Sequence, residues 1–232
     1  LCESTEQGTA ESRELILKWH RKPGTRLRYA VTPRFAPTSS ERQLAEAGRL
    51  LDEFPDVHLQ THLAENTEEC RWVRELFPWS RSYLDVYDRF GLVRPNSVFA
   101  HCIHLDAEDR AAMAAKGCAI AFCPTSNLFL GSGLFDADAA QAAGIPVGIG
   151  TDVGGGTSFS VIRTLHEAHK VLQLRGLHLD ALRGFYLATL GGARALGLSG
   201  EVGNFEKGKY ADFVLLDKSA TPLIARRMKQ AA

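Results

Sequence analysis

The chain has 232 residues, 45% hydrophobic and 23% charged, with Lys plus Arg and Asp plus Glu equal at 27 each. This composition excludes disorder and collagen-like repeats and supports one large core, or a core with a small appendage. Balanced charge without a basic stripe argues against nucleic acid as a partner, and no apolar run reaches the roughly 18 residues of a membrane span.

Residues 10–22 carry helical spacing, and "RLRYAVTPRF" (26–35) is a short β-type run stopped by Pro33. The serines of "SSERQLAEAGRLLDEF" (39–54) can cap a helix that runs through Phe54, and "VHLQTHL" (57–63) reads as a strand. Helical material follows from Thr67 to about Gly91, then the strand "SVFAHCI" (97–103), the helix "DAEDRAAMAAKG" (106–117) and the strand "CAIAFC" (118–123). A loop and helix reach Gly144, "IPVGIGT" (145–151) is a fifth strand, and a final helix is predicted from about Ser158 to Leu174. Strands alternating with helices indicate parallel β-α units, whose strands read as continuous apolar runs.

Arg34, His62, His101, Asn127 and Asp152 all follow the apolar runs and none precedes them. Chemistry gathered at the C-terminal strand ends favours a TIM-type (β/α)8 barrel over a doubly wound open sheet, which obeys a similar rule, because each successive strand contributes a polar tip. Five such strands against the barrel's eight imply that the later strands and helices are present and that earlier ones lie outside this sequence. Residues 1–198 are the expected partial barrel. Residues 199–232, beginning with the Gly-rich "GEVGNFEKGKYADFVLLD" (200–217), are expected to form an incomplete piece of a small β-domain with a strand among turns.

Five cysteines, Cys2, Cys70, Cys102, Cys118 and Cys123, form no C-x-x-C pair, and the opening residues lack a secretory signal layout; a cytoplasmic setting is expected. In a closed barrel His62, His101 and Asp152 converge on one axis. Imidazole plus carboxylate is a ligand set for zinc or ferrous iron; a buried polar network is the alternative reading. A divalent cation would lower the pKa of water toward about 7. Glu65 then lies near the mouth, placed either to shuttle protons or simply to favour a helix N-terminus. "GGGTS" lacks the lysine and spacing of a phosphate loop and reads as a turn or a place of close backbone approach; "HEAH" (166–169) reads as a solvated helix face.

The strings "TPRFAPTSS", "QTHLAEN", "FAHCIHL", "CPTSNLFLGSG", "GIGTDVGGGTSFS", "LATLGGARALGL" and "GNFEKGKYADFVLLD" together resemble the amidohydrolase superfamily, and within it the guanine-deaminating branch. The resemblance implies zinc-dependent, or alternatively iron-dependent, hydrolysis of guanine to xanthine and ammonia, in a homodimer acting on a small purine. Neighbouring substrates are other aminopurines, pterins or triazines; a metal-free binding scaffold is a further alternative. On the family pattern His62 and Asp152 are metal ligands, Glu65 is the proton shuttle, Asp152 also takes a proton from water, and His101 hydrogen-bonds water or substrate. Arg34 and Phe35 read the purine, and His62, Glu65 and Asp152 complete its contacts. Family members open their barrel with an H-x-H pair that adds two ligands, and this sequence holds none. Members also carry a longer C-terminal portion that finishes the small β-domain, so the resemblance implies a chain truncated at both ends. The H-x-E and P-C-x-x-C signature of the other zinc deaminases is absent.

Overall fold

The structure is a computed structural model and describes residues 4–230; Cys2 lies outside them. In chain order the elements are α1 (Thr5–Trp19), β1 (Ala30–Val31), α2 (Glu41–Glu53), β2 (His58–Leu63), α3 (Thr67–Leu76), α4 (Tyr83–Arg89), β3 (Ser97–His101) and α5 (Ala107–Ala115). Then come β4 (Ala119–Phe122), α6 (Pro124–Leu130), α7 (Ala137–Ala142), β5 (Val147–Ile149), α8 (Val161–Leu174), α9 (Ala181–Tyr186), a π-helical turn (Leu187–Gly191), α10 (Gly192–Ala195) and α11 (Pro222–Gln230).

The five strands form one parallel sheet in the order β1-β2-β3-β4-β5. Every crossover advances in the same direction. With right-handed connections this wraps the sheet toward a barrel, where a doubly wound fold would reverse at a switch point. The register aligns the strand ends: His62 pairs with Ala100, Leu63 with His101, and Phe122 with Ile149. Consecutive polar tips are therefore delivered to one rim of the sheet.

Most of the core is one cluster. Leu44, Leu51, Leu59, Leu63, Leu84, Tyr87, Phe99, Met113, Ile120 and Phe122 are almost fully buried and belong to one cluster. Along β2 burial alternates, with Leu59, Thr61 and Leu63 inside while His58, Gln60 and His62 are half-buried on the other face. The β-α connections end in helix caps: Ser40, Asn66, Asp106 and Ser160 each accept a backbone N–H of the first helical turn.

Several expected elements differ. The first strand shrinks to two residues because it meets β2 only at Ala30 and Val31. The helical material expected over 67–91 forms two helices separated by residues 77–82, where Pro78 withholds the N–H that continuation requires. Helix α8 is not the last. The segment "LATLGGARALGL" continues helically, its glycines reflecting packing rather than a break: a Cβ on Gly191 would lie 2.9 Å from the Tyr186 carbonyl oxygen, and one on Gly148 would lie 3.2 Å from Gly192 Cα. The strand expected within 200–217 does not form among the described residues, where residues 211–217 pair with no sheet and Val214 and Leu215 are 83% and 87% exposed. An isolated extended run gains no ladder hydrogen bonds or facing side chains.

Candidate metal centre

His62 ends the half-buried face of β2, His101 ends β3, and Asp152 follows β5. One ligand atom from each lies within 4.8 Å of the others. The two imidazoles stack, with centroids 5.3 Å apart and planes 22° from parallel. Convergence is obtained through unusual backbone. Ala64, His101, Cys102 and Asp152 have φ values of 49°, 71°, 54° and 47°, the left-handed region that side chains rarely adopt. Such residues cost on the order of 1–3 kcal/mol each and persist where the surroundings impose them.

His62 is oriented from behind. Its Nδ1 donates to the Arg34 carbonyl oxygen at 2.7 Å, and Thr61 Oγ1 donates to the same oxygen at 3.2 Å. A carbonyl can only accept, so Nε2 of His62 is left with a free lone pair, the form a metal needs. Tyr87 fastens the same region. Its hydroxyl accepts the Ala36 N–H at 2.9 Å and donates to the His62 carbonyl oxygen at 2.8 Å, tying the Arg34-Phe35 segment to the end of β2. Burial pushes the Tyr87 hydroxyl up to about 12, so it stays protonated.

Glu65 Oε2 lies 3.7 Å from His101 Nε2, and Asp152 Oδ2 lies 3.9 Å from the same nitrogen. Neither distance is a hydrogen bond. His101 Nε2 is buried without a partner, while Asn127 Nδ2 lies 2.9 Å from its Nδ1. Burial pulls the His101 pKa down and outweighs the charges of Glu65 and Asp152. Ser132 Oγ donates to Glu65 Oε1 at 3.2 Å. Cys123 is a protonated thiol, burial pushing it up to about 12, and offers no thiolate.

Arg34 is exposed, with its guanidinium 5.5 Å from the centre of the half-buried Phe35 ring, and that ring stands edge-on to His62 at 6.3 Å. Of the glycines in "TDVGGGTSFS", Gly154 adopts a φ of 107° with open space around it, while Gly155 and Gly156 serve close approach to the chain's own groups. A Cβ on Gly155 would lie 2.7 Å from Ser126 Oγ and 3.1 Å from Asp152 Oδ2, and one on Gly156 would run into the Thr151 carbonyl. In "HEAH", His166 is exposed, whereas His169 Nδ1 bonds the Leu179 carbonyl at 3.2 Å. The candidate site residues Arg34, Phe35, His62, Glu65, His101 and Asp152 border this one region, and so does the polar tip Asn127. Ser132 and Tyr87 were not foreseen: Ser132 sits in a glycine turn and Tyr87 in an ordinary helix. Nothing local marks either residue.

The donor chemistry suits a divalent cation. A free imidazole nitrogen and a carboxylate face a buried, unpartnered imidazole nitrogen across a gap. The chain belongs to the amidohydrolase family, whose model matches residues 3–231. Among its relatives, the guanine deaminase of Escherichia coli is 52% identical over 223 residues, 96% of this chain and 50% of the relative. The E. coli guanine deaminase structure superposes with a TM-score of 0.96 at 50% identity, over 100% of this chain and 54% of that one. Guanine deaminase from C. acetobutylicum with bound guanine gives 0.83 at 31% identity over 90% and 50%. A zinc-bound adenosine deaminase from Xanthomonas campestris gives 0.83 at 29% over 94% and 50%. The chain spans about half the length of the relatives it matches.

Proposed function

We propose that this chain carries the deamination site of a zinc-dependent guanine deaminase, which hydrolyses guanine to xanthine and ammonia. The observation that carries the reading is the convergence of His62, His101 and Asp152 within 4.8 Å, with Glu65 at the edge of the same gap. Guanine is supported by the relatives' names, the guanine-bound neighbour and the Arg34-Phe35 pair; zinc is supported by the donor set and the zinc-bound neighbour.

His62 and Asp152 would hold the cation, which supplies, when bound, the Lewis acidity that makes water a nucleophile near neutral pH. Arg34 presents a planar fork to a ring acceptor of the purine, and the Phe35 backbone meets its edge. Asp152 takes a proton from the attacking water. Glu65, recharged by the two protons that the water gives up, one on attack and one as the new carbonyl forms, delivers them to the ring and then to the departing amine, held in place by Ser132. His101, neutral because of its burial, hydrogen-bonds the reacting group. The same reading takes residues 1–198 as part of a barrel and 199–232 as part of a small β-domain, in a cytoplasmic homodimer.

The test is ammonia release by the full-length protein from guanine, adenine, cytosine and ammeline. Release from guanine well above the others is expected. No release from guanine rejects the specific reading, and release from ammeline alone moves the site to triazines.

A further inference from the structure

His62 and His101 stand side by side, yet their Nδ1 atoms meet chemically opposite neighbours. His62 Nδ1 faces a carbonyl oxygen at 2.7 Å, an obligate acceptor. His101 Nδ1 faces the amide nitrogen of Asn127 at 2.9 Å, an obligate donor. The His101 ring thus accepts at Nδ1 and, when neutral, carries its proton on Nε2. Turning the Asn127 amide over would bury two N–H donors where one carbonyl oxygen now lies, on a side chain only 1% exposed. Orphaned buried N–H groups are the rarer kind, whereas the orientation shown leaves only the Oδ1 of that amide without a partner.

His101 Nε2 has no partner of its own, and it stands 3.7 Å from Glu65 Oε2 and 3.9 Å from Asp152 Oδ2. Those separations leave the nitrogen facing a gap that a reacting oxygen or nitrogen can enter. We infer that Asn127 is a positioning residue that fixes His101 as the Nε2–H tautomer, making His101 a hydrogen-bond donor to the reacting group and barring it from coordinating the cation. Two adjacent histidines of one chemical type are thereby given opposite roles by what lies behind them: a carbonyl makes His62 a ligand, and an amide N–H makes His101 a donor. That the acceptor is a reacting atom rests on the deaminase reading; the tautomer does not.

The experiment is 15N–1H correlation spectroscopy of the imidazoles in the zinc-loaded, full-length protein above pH 8, where ordinary histidines are neutral, with His101 assigned by its loss in His101→Gln. The expected spectrum has His101 protonated at Nε2 and bare at Nδ1, and His62 the reverse. A His101 with its proton on Nδ1, or with an Nε2 shift typical of a metal-bound nitrogen, overturns the inference. Asn127→Asp keeps the shape but can only accept; it should move the His101 proton to Nδ1 and lower kcat about 10- to 100-fold with KM little changed. An unmoved proton or an unchanged kcat in that variant counts against Asn127. The nitrogen shifts report on the tautomer whether or not guanine is turned over, so failure of the deamination assay and failure of this inference are separate results.

Discussion

Glu65, just before the α3 N-cap Asn66, and Glu69, in the first turn of α3, meet different environments. Glu65 faces the gap beside His101 and receives a hydrogen bond from Ser132. Glu65→Gln should leave metal content unchanged and slow guanine turnover about 10²- to 10⁴-fold, because it removes a proton carrier and no ligand. Turnover at the parent rate, measured beside metal analysis, would remove Glu65 from the mechanism. Glu69 is buried, and burial raises its pKa, with the Glu65 charge adding to the effect. As pH climbs past the ordinary value of 4.5, the unfolded chain has released this proton and the folded one has not, so the folded state loses stability until Glu69 itself titrates. Glu69→Gln should flatten that fall. Denaturation midpoints that decline with pH as steeply in the variant as in the parent would contradict it.

Elements matter here for the rims they align. The strand-end residues were legible in the sequence because buried parallel strands read as apolar runs, so a polar residue closing each run, such as His62 or His101, stands out. The helical breaks were less legible. Pro78 divides the predicted helical material, and Gly191 and Gly192 give no sign that helix continues beyond Leu174, since a glycine demanded by close packing resembles one that ends an element. Gly48 shows the same ambiguity inside α2, where an added Cβ would collide with the Phe90 carbonyl. Gly48→Ala should therefore lower stability by about 1–3 kcal/mol despite alanine's better helix propensity; a raised denaturant midpoint would show that the contact yields. Tyr87 couples α4 to β2 and to the Arg34-Phe35 segment. Tyr87→Phe strands the Ala36 N–H and the His62 carbonyl, each at about 1–3 kcal/mol. Lower stability together with a raised KM for guanine is expected, and an unchanged KM would confine Tyr87 to the fold.

Across the whole molecule, the parallel β-α units and the single polar rim were foreseeable, whereas the fate of residues 199–230 was not. "ADFVLLD" (211–217) has the composition of a strand, but composition cannot supply the neighbour that a strand must pair with, and here these side chains stand in solvent. The supports of the site were equally hidden. Ser132 reaches Glu65 across 67 positions and Tyr87 reaches His62 across 25, contacts that only the folded chain creates. The left-handed backbone at His101 and Asp152 belongs to the same class, for neither residue type announces it. No helix among the described residues is long and apolar enough to cross a membrane.

Anomalous diffraction at the zinc edge, from crystals of the full-length protein, addresses the meeting of these side chains around one cation most directly. A single strong peak in contact with His62 Nε2 and an Asp152 carboxylate oxygen, and not with His101, is the predicted result. A map with no peak there, or one in which His62 and Asp152 turn away from each other, would contradict it.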